Sequence, residues 1–420
     1  MRFKKALESL KREVGQYIDE VKKSWRNTGL TLKIHFRERT YNECPEKSDV
    51  LGYTVYCPKG LIFLDKEVSD EIKKAMEKEV TQILYDLDHE NEHQQALFSY
   101  VGNMVVTEFS KSISICARSE ILKLLDRVGK ECKWLSNILI DAKKMYEALR
   151  TAKTALAASK FEHPLSELQA IMQHKEELES ESAFHNRSET FWRRFWKDGE
   201  EALHAVWPLI QILSIFDCFV PTIGYFYEAF EMAGKRIKHH HAANPQKFKE
   251  LWEQFELLKP CLIWPIHVTS AYLNPSYILN ERSSEDEINE NEVREYMKEF
   301  LIESNEEETL ENELAKYKME DSPLFTQEAI SALKTHHPVR WWEKFGEPTP
   351  LLSRCAIRLL SQPSNCLSHF CRKLKFEALK SERLDLLRLN VRMMDEFKEL
   401  EEKNMIFTPI DLSKIDAPLN

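Results

Sequence analysis

The sequence predicts a helix-rich α/β protein in which a small mixed sheet is flanked by helices. Only 10 glycines and 16 prolines occur among 420 residues, and 30% of the residues are charged, which favours helices over a sandwich or a glycine-looped nucleotide fold. A hydrophobic period of two is limited to short runs near the start, whereas a helical period dominates elsewhere. With 43% hydrophobic residues, the chain can bury the cores of two or three packed units.

The first predicted elements are an amphipathic helix and a strand. Apolar residues recur at steps of three and four over residues 7–25, and the helix is expected to end at Asn27-Thr28-Gly29. From Leu30 the period changes to two. This pattern predicts a half-buried strand with Leu30, Leu32, Ile34 and Phe36 on one face and Thr31, Lys33 and His35 on the other. His35 is therefore expected to point away from the core.

Further strands complete the predicted sheet. Two β-rich runs at residues 51–57 and 61–64 are joined by Pro58-Lys59-Gly60, which is typical of a turn. Residues 79–85 and 112–117 can each add a strand, and helical patterning then extends from about residue 120 to residue 159. The first predicted region, residues 1–159, is therefore a mixed sheet with flanking helices.

The middle of the chain is predicted to be an all-helical insertion over residues 160–305. Between His204 and Glu228 the only charge is Asp217, and this length would admit a membrane span. Pro208, Pro221 and Asp217 interrupt the stretch, so a buried helix pair is favoured over a membrane helix. Residues 283–321 are acidic and are expected to be exposed to solvent. The third predicted region comprises residues 306–420.

The charge balance limits the kinds of partner. There are 59 basic and 69 acidic residues, a formal net charge of -10, whereas proteins that bind phosphates usually have the opposite sign. Any DNA contact must come from a local patch, and the run from Lys235 to Lys238 followed by His239, His240 and His241 is one candidate. Adjacent histidines on a helix point in different directions. A solvated helix end is therefore favoured there over a metal site.

Cysteine usage points to a reducing compartment and not to a zinc finger. The nine cysteines are scattered and include no Cys-x-x-Cys. The closest pair, Cys366 and Cys371, has no second pair or suitably spaced histidines to complete a tetrahedral site. The chain starts with a charged segment and not with an apolar signal segment. Cytosol or nucleus is expected, with no metal and no cofactor.

Several ordered motifs resemble plant-type hAT transposases. The central domain of that family is resembled by Ser24-Trp25-Arg26-Asn27-Thr28-Gly29, by Val55-Tyr56-Cys57-Pro58-Lys59-Gly60 and by the stretch from Cys116 to Lys130. Two later motifs of the family are similar to Gly224-Tyr225-Phe226-Tyr227-Glu228-Ala229 and to the run from Pro265 to Pro275. The start of its C-terminal dimerisation region is similar to Pro338-Val339-Arg340-Trp341-Trp342. The resemblance covers residues 21–400 and implies a ribonuclease-H-like core, without the family's BED zinc finger.

The resemblance also implies where catalytic acids would stand. Such transposases hold two divalent cations with three carboxylates, and the matching positions here are His35, Asp86 and Phe370, with Asp88 an alternative to Asp86. The family's cysteine-x-x-histidine is replaced by a run ending in Ser119. A non-catalytic, transposase-derived nuclear protein is therefore expected, with the three positions converging at one end of the sheet. The alternative is an active transposase that uses Glu38, Asp86 and Glu377.

The C-terminal region is expected to carry the protein's association. Thr349 before Pro350 predicts an N-cap and a first-turn proline. The apolar face comprises Trp341, Trp342, Leu351, Leu352, Ala356, Leu359 and Leu360. Such a face suits either an internal contact over the sheet or a subunit interface. The resemblance favours the interface, with a homodimer or related hAT proteins as partners, weak DNA binding and no membrane contact.

Overall fold

A computed structural model describes residues 2–36, 50–65, 70–85, 113–115, 117–151, 163–176, 188–216, 220–281, 288–319, 322–364 and 383–416. The strands are β1 (Leu30–Phe36), β2 (Val50–Cys57), β3 (Gly60–Asp65), β4 (Val80–Tyr85) and β5 (Ile113–Ile115). The first helices are α1 (Arg2–Thr28), α2 (Asp70–Glu79), α3 (Ala117–Glu131), α4 (Lys133–Thr151), α5 (Pro164–Gln173), α6 (Glu189–Phe216), α7 (Ile223–Ala243) and α8 (Pro245–Leu262). The predicted helix-rich α/β class is confirmed.

The remaining helices lie in the C-terminal part of the chain. They are α9 (Pro265–Tyr272), α10 (Pro275–Glu281), α11 (Glu290–Phe300), α12 (Glu307–Lys318), α13 (Gln327–Ala332), α14 (Pro338–Phe345), α15 (Pro350–Leu360), α16 (Arg383–Glu402) and α17 (Ser413–Asp416), with a 3-10 turn at Ser304–Glu306. None of the described helices is both long enough and apolar enough to cross a membrane. The apolar stretch that begins at His204 is divided between α6 and α7.

The sheet has five strands in the order β3-β2-β1-β4-β5. β2 is antiparallel to both β1 and β3, whereas β4 runs parallel to β1, and β5 runs parallel to β4. The predicted turn at Pro58 joins β2 to β3, where Cys57 pairs with Gly60. α1 ends at Thr28, within the predicted stop signal, and the following Gly29 has a φ of 62° that is accessible to glycine at low cost. The predicted mixed sheet is confirmed, with β1 at its centre.

Helices cover both faces of this sheet. Val21 and Trp25 of α1 pack with Leu32, Val55 and other apolar residues on one face. On the other face, Leu389, Met393 and Phe397 of α16 pack with Tyr56, Leu61 and Phe63. The sequence predicts β1 to be half-buried, but Thr31 on the predicted outer face is also buried. The prediction is wrong at Thr31 because residues far along the chain cover that face.

Polar groups on this second face are joined by hydrogen bonds. The Gln82 amide donates to Thr31 Oγ1 at 2.9 Å, and Thr31 Oγ1 donates to Gln362 Oε1 at 2.8 Å. Gln362 Nε2 in turn donates to the carbonyl of Thr28 at 2.6 Å. On β3, the side-chain amide of Asn390 accepts from Phe63 N and donates to Phe63 O. The C-terminal part of the chain is thus attached to the sheet by polar contacts as well as apolar ones.

The chain forms two compact units whose boundaries differ from the three predicted regions. One unit comprises Met1–Cys116, Phe216–Tyr227 and Ile263–Ile410, and it contains the sheet. The other comprises Ala117–Ile215, Glu228–Leu262 and Asp411–Asn420, and its described secondary structure is helical. The helical unit begins at Ala117, before the predicted boundary at residue 160, because α3 and α4 pack with helices of their own unit. Residues Ile263–Ile410 return to the unit of the sheet.

Candidate functional site

The candidate site lies at the end of the central parallel strands. Thr31 pairs with Gln82, Leu32 with Ile83 and Lys33 with Leu84, so that β1 and β4 end at the same edge of the sheet. β5 ends there too, because Ile115 pairs with Tyr85 of β4. The carboxyl ends of adjacent parallel strands commonly form ligand sites in α/β proteins. This edge is therefore where groups from separate strands can act together.

His35 is located at this edge, next to an irregularity in the sheet. On β2 it pairs with Gly52, and the register shifts between His35 and Phe36, which pairs with Val50. Bulges of this kind often occur beside active sites because they redirect the end of a strand. A Cβ atom at Gly52 would lie 2.5 Å from the carbonyl oxygen of Leu64. Gly52 therefore allows the close approach of β2 and β3 at the position that pairs with His35.

Of the three positions predicted to converge, only that of His35 lies within the described residues. The backbone of His35 is described, whereas its side chain, Asp86 and Phe370 are outside the described parts. Asp88, Glu38 and Glu377 are also outside them. Tyr85, which directly precedes Asp86 in the chain, ends β4 beside β1. The convergence of His35, Asp86 and Phe370 stays a prediction.

The histidine run has three different environments at the end of α7. His240 is half-buried, and burial lowers its pKa, with further lowering by the nearby charge of Arg236. The ring of His241 stacks on Trp252 of α8, with centroids 6.4 Å apart and an interplanar angle of 18°. His239 is exposed. Within the described ranges, no group of three or more His, Cys, Asp and Glu side chains could hold a metal ion.

The apolar residues expected at a subunit interface lie inside the single chain. Trp341, Trp342, Leu351, Leu352, Ala356, Leu359 and Leu360 are each at most 7% exposed. They belong to one core cluster with residues of α9, α11 and α12. The indole nitrogens of Trp341 and Trp342 donate to the carbonyls of Ala329 and Leu273. Of the two interpretations of this face, the structure favours the internal contact, because these side chains are not presented to a second subunit.

Glu313 and His337, two buried polar residues that the sequence did not point to, cap helices in this region. Thr349 occupies the N-cap position of α15 as predicted, but its side chain makes no capping hydrogen bond. Glu313 of α12 instead accepts from the backbone N–H of Leu352 at 2.7 Å. The predicted N-cap position is confirmed, although the acceptor for the first turn comes from a neighbouring helix and not from the Thr349 side chain. Pro350 is at the first turn as predicted.

The second residue is His337, the N-cap of α14. Its Nδ1 accepts from Val339 N at 3.2 Å, so Nδ1 carries no proton and Nε2 donates to the carbonyl of Pro221 at 2.9 Å. Burial lowers the pKa of His337 to about 4. Pro338, a first-turn proline, was the only local signal in the sequence that a helix starts here.

No family model matches the chain, and no curated protein matches it either.

Proposed function

We propose that this chain is a hAT transposase-derived nuclear protein that binds DNA without cutting it. In this proposal the five-stranded sheet is a ribonuclease-H-like core and the helical unit is the family's insertion. The carrying observation is His35 at the end of the central strand β1, where the family resemblance implies a metal-binding aspartate. An imidazole cannot replace a carboxylate that bridges two divalent cations, since it lacks the oxygen ligands and the negative charge.

The arrangement of the strands supports this proposal. The resemblance implies a first acid at the end of the first strand and a second at the end of the fourth. β1 and β4 are adjacent and parallel, so positions that follow them fall at one edge. The C-terminal contacts of Gln362 with Thr31 and Thr28 bring the end of α15 to the same sheet. This order of strands therefore supports carrying the family's acid positions over to this chain residue by residue.

Association with itself or with related hAT proteins is part of the proposal, but it needs a different surface from the one expected. The seven apolar residues around Trp341 are buried in one chain. A surface that pairs two subunits must instead be formed by exposed residues, because opening the core around Trp341 would cost several kcal/mol for each large apolar side chain.

The test combines DNA binding with DNA cleavage. The full chain is titrated into a fluorescein-labelled duplex at low salt, and it is then incubated with supercoiled plasmid and Mg²⁺ or Mn²⁺. We expect a change in anisotropy and no metal-dependent nicking. Nicking that co-purifies with the protein and disappears in Asp86→Asn would overturn the proposal in favour of the active transposase. Absence of binding by a folded chain would overturn the DNA-binding half.

A further inference from the structure

Three hydroxyl residues of the chain are followed directly by proline, namely Ser322, Thr349 and Thr408. The residue before a proline prefers an extended backbone, and the proline itself has no backbone N–H. Protein kinases of the proline-directed class bind such a dipeptide, because the proline fills an apolar pocket without leaving an N–H unpaired there. On sequence alone, the three positions are equivalent candidates for phosphorylation.

The structure separates these candidates by the exposure of the hydroxyl residue. Ser322 is 6% exposed, and its Oγ accepts from Leu324 N. Thr349 is fully buried at the N-cap position of α15. A kinase could reach either hydroxyl only after the surrounding structure had opened. Thr408, in contrast, is exposed, so it is the candidate that a kinase can reach in the folded chain.

Thr408 lies in an irregular part of the chain that follows α16. Residues 408–410 belong to no helix or strand, and such a segment adapts to the extended path of a kinase groove at lower cost than a helix does. The preceding residues are held by packing. Ile406 is buried in the cluster that contains α16 and β3. The Phe407 ring lies 4.2 Å from the Arg340 guanidinium and 5.6 Å from the His337 ring.

The hydroxyl of Thr408 is bonded at a position where a phosphate would be unfavourable. Thr408 Oγ1 donates to the carbonyl of Asn404 at 2.7 Å. Asn404 comes two residues after α16, which ends at Glu402 and thus presents the negative end of its dipole there. A phosphate on Oγ1 would replace the donor by acceptors and add about -2 charge at this helix end. Phosphorylation would therefore oppose the present packing of residues 405–410.

We propose that Thr408 is a phosphorylation site for a proline-directed serine/threonine kinase, and that its phosphorylation releases residues 405–410 from Arg340 and His337. Thr408 Oγ1 attacks the γ-phosphorus of Mg-bound ATP, the bond from that phosphorus to the oxygen of ADP breaks, and the hydroxyl proton passes to the catalytic base of the kinase. The products are phosphothreonine and ADP. This proposal is independent of DNA binding.

The first test measures the site and the rate of phosphorylation in the full chain. The protein is incubated with ATP, Mg²⁺ and a purified kinase of the mitogen-activated class, and tandem mass spectrometry locates the phosphate. Thr408→Val removes the hydroxyl, whereas Pro409→Ala keeps it and removes the proline. Thr335→Val is the matched control, because Thr335 is exposed and donates to the carbonyl of Ala332 but is followed by His336. Circular dichroism establishes that all variants are folded.

We expect phosphate on Thr408 in the wild type and in Thr335→Val, and none on Ser322 or Thr349. Thr408→Val should abolish the modification. Pro409→Ala should slow it by on the order of tenfold, because an unpaired amide N–H would then be buried against the kinase. An unmodified Thr408 in the folded chain, while a synthetic peptide of residues 402–414 is modified, would overturn the proposal. Equal rates for wild type and Pro409→Ala would overturn the assignment to a proline-directed kinase.

The second test measures the release of residues 405–410 by amide hydrogen exchange. Fully phosphorylated and unmodified wild-type proteins are compared. We expect exchange of residues 404–408 to be several-fold faster after phosphorylation, while α12 exchanges at its original rate. Unchanged exchange at residues 404–408 would overturn the release. An equal acceleration in α12 would also overturn it, because the phosphate would then destabilise the whole unit and not this segment.

Discussion

Glu313 Oε2 lies 2.7 Å from the backbone nitrogen of Leu352, so that a carboxylate of α12 caps the first turn of α15. Both residues are buried in the core that surrounds Trp341. The negative charge is favourable there because the first N–H groups of a helix have no intrahelical partners and carry partial positive charge. One side chain thereby links the positions of two helices that are separated in the sequence.

Replacing Glu313 should therefore destabilise the unit of the sheet. Glu313→Ala leaves Leu352 N without its acceptor, and we expect a loss of about 2 kcal/mol in the free energy of unfolding. Glu313→Gln retains a neutral acceptor and should lose less. Urea unfolding measures both. Glu308→Gln on the exposed side of the same helix serves as the control, and an equally large effect there would contradict the capping role.

His337 predicts a specific dependence of stability on pH. Its pKa is about 4 in the folded protein because of burial, against an ordinary value of 6.5. Between these values only the unfolded chain binds the proton, so stability is lost as pH falls from about 6.5 to about 4. The loss contributed by this group approaches about 3 kcal/mol. Protonation of Nδ1 also removes the acceptor for Val339 N.

The measurement is the difference in pH dependence between wild type and His337→Asn, because acidic groups elsewhere contribute equally to both. Asparagine can still cap α14 but does not titrate. We expect a shallower loss of stability below pH 6.5 in this variant, in line with the assigned pKa. His336→Asn, at the adjacent partly exposed position, should keep the wild-type profile. Identical profiles for all three proteins would show that His337 is not a buried neutral group.

The double change Trp341→Ala with Leu352→Asp separates the two interpretations of the apolar C-terminal face. Both side chains are fully buried in one chain, so we expect the variant to unfold at a much lower temperature, with a loss of more than about 3 kcal/mol. Light scattering and thermal unfolding are measured together. A wild-type dimer that becomes a monomer of unchanged melting temperature would instead identify a subunit interface. Ile330→Ala, at an exposed position, is the control.

Much of the sheet was predictable because β1 alternates between apolar and polar residues and the next two strands are short β-rich runs. Residues 30–36, 51–57 and 61–64 match β1, β2 and β3 closely, and the turn at Pro58 fixed the connection between two of them. The burial of Thr31 was not predictable, because local alternation does not reveal Gln362, which comes from far along the chain and accepts the hydrogen bond of Thr31.

The candidate site was predictable only in part. The alternation in β1 and the resemblance together located His35 at a strand end, and the sheet order places that end beside β4. The capping by Glu313 and the bond from His337 to Pro221 depend on residues that are far apart in the sequence. The sequence also could not show what covers Trp341 and Trp342. An apolar helix face has the same sequence pattern whether it packs against its own chain or against a second chain.

The contact between Asn390 and Phe63 has a consequence for solubility. β3 is the outermost strand on its side of the sheet, and an unpaired strand can template the addition of a strand from another molecule. Asn390 occupies both backbone hydrogen-bonding groups of Phe63, as a neighbouring strand residue would. α16 thus protects the edge of the sheet from pairing with a strand of another molecule. Loss of the Asn390 amide would leave the outer edge of β3 open to aggregation before it affected the rest of the sheet.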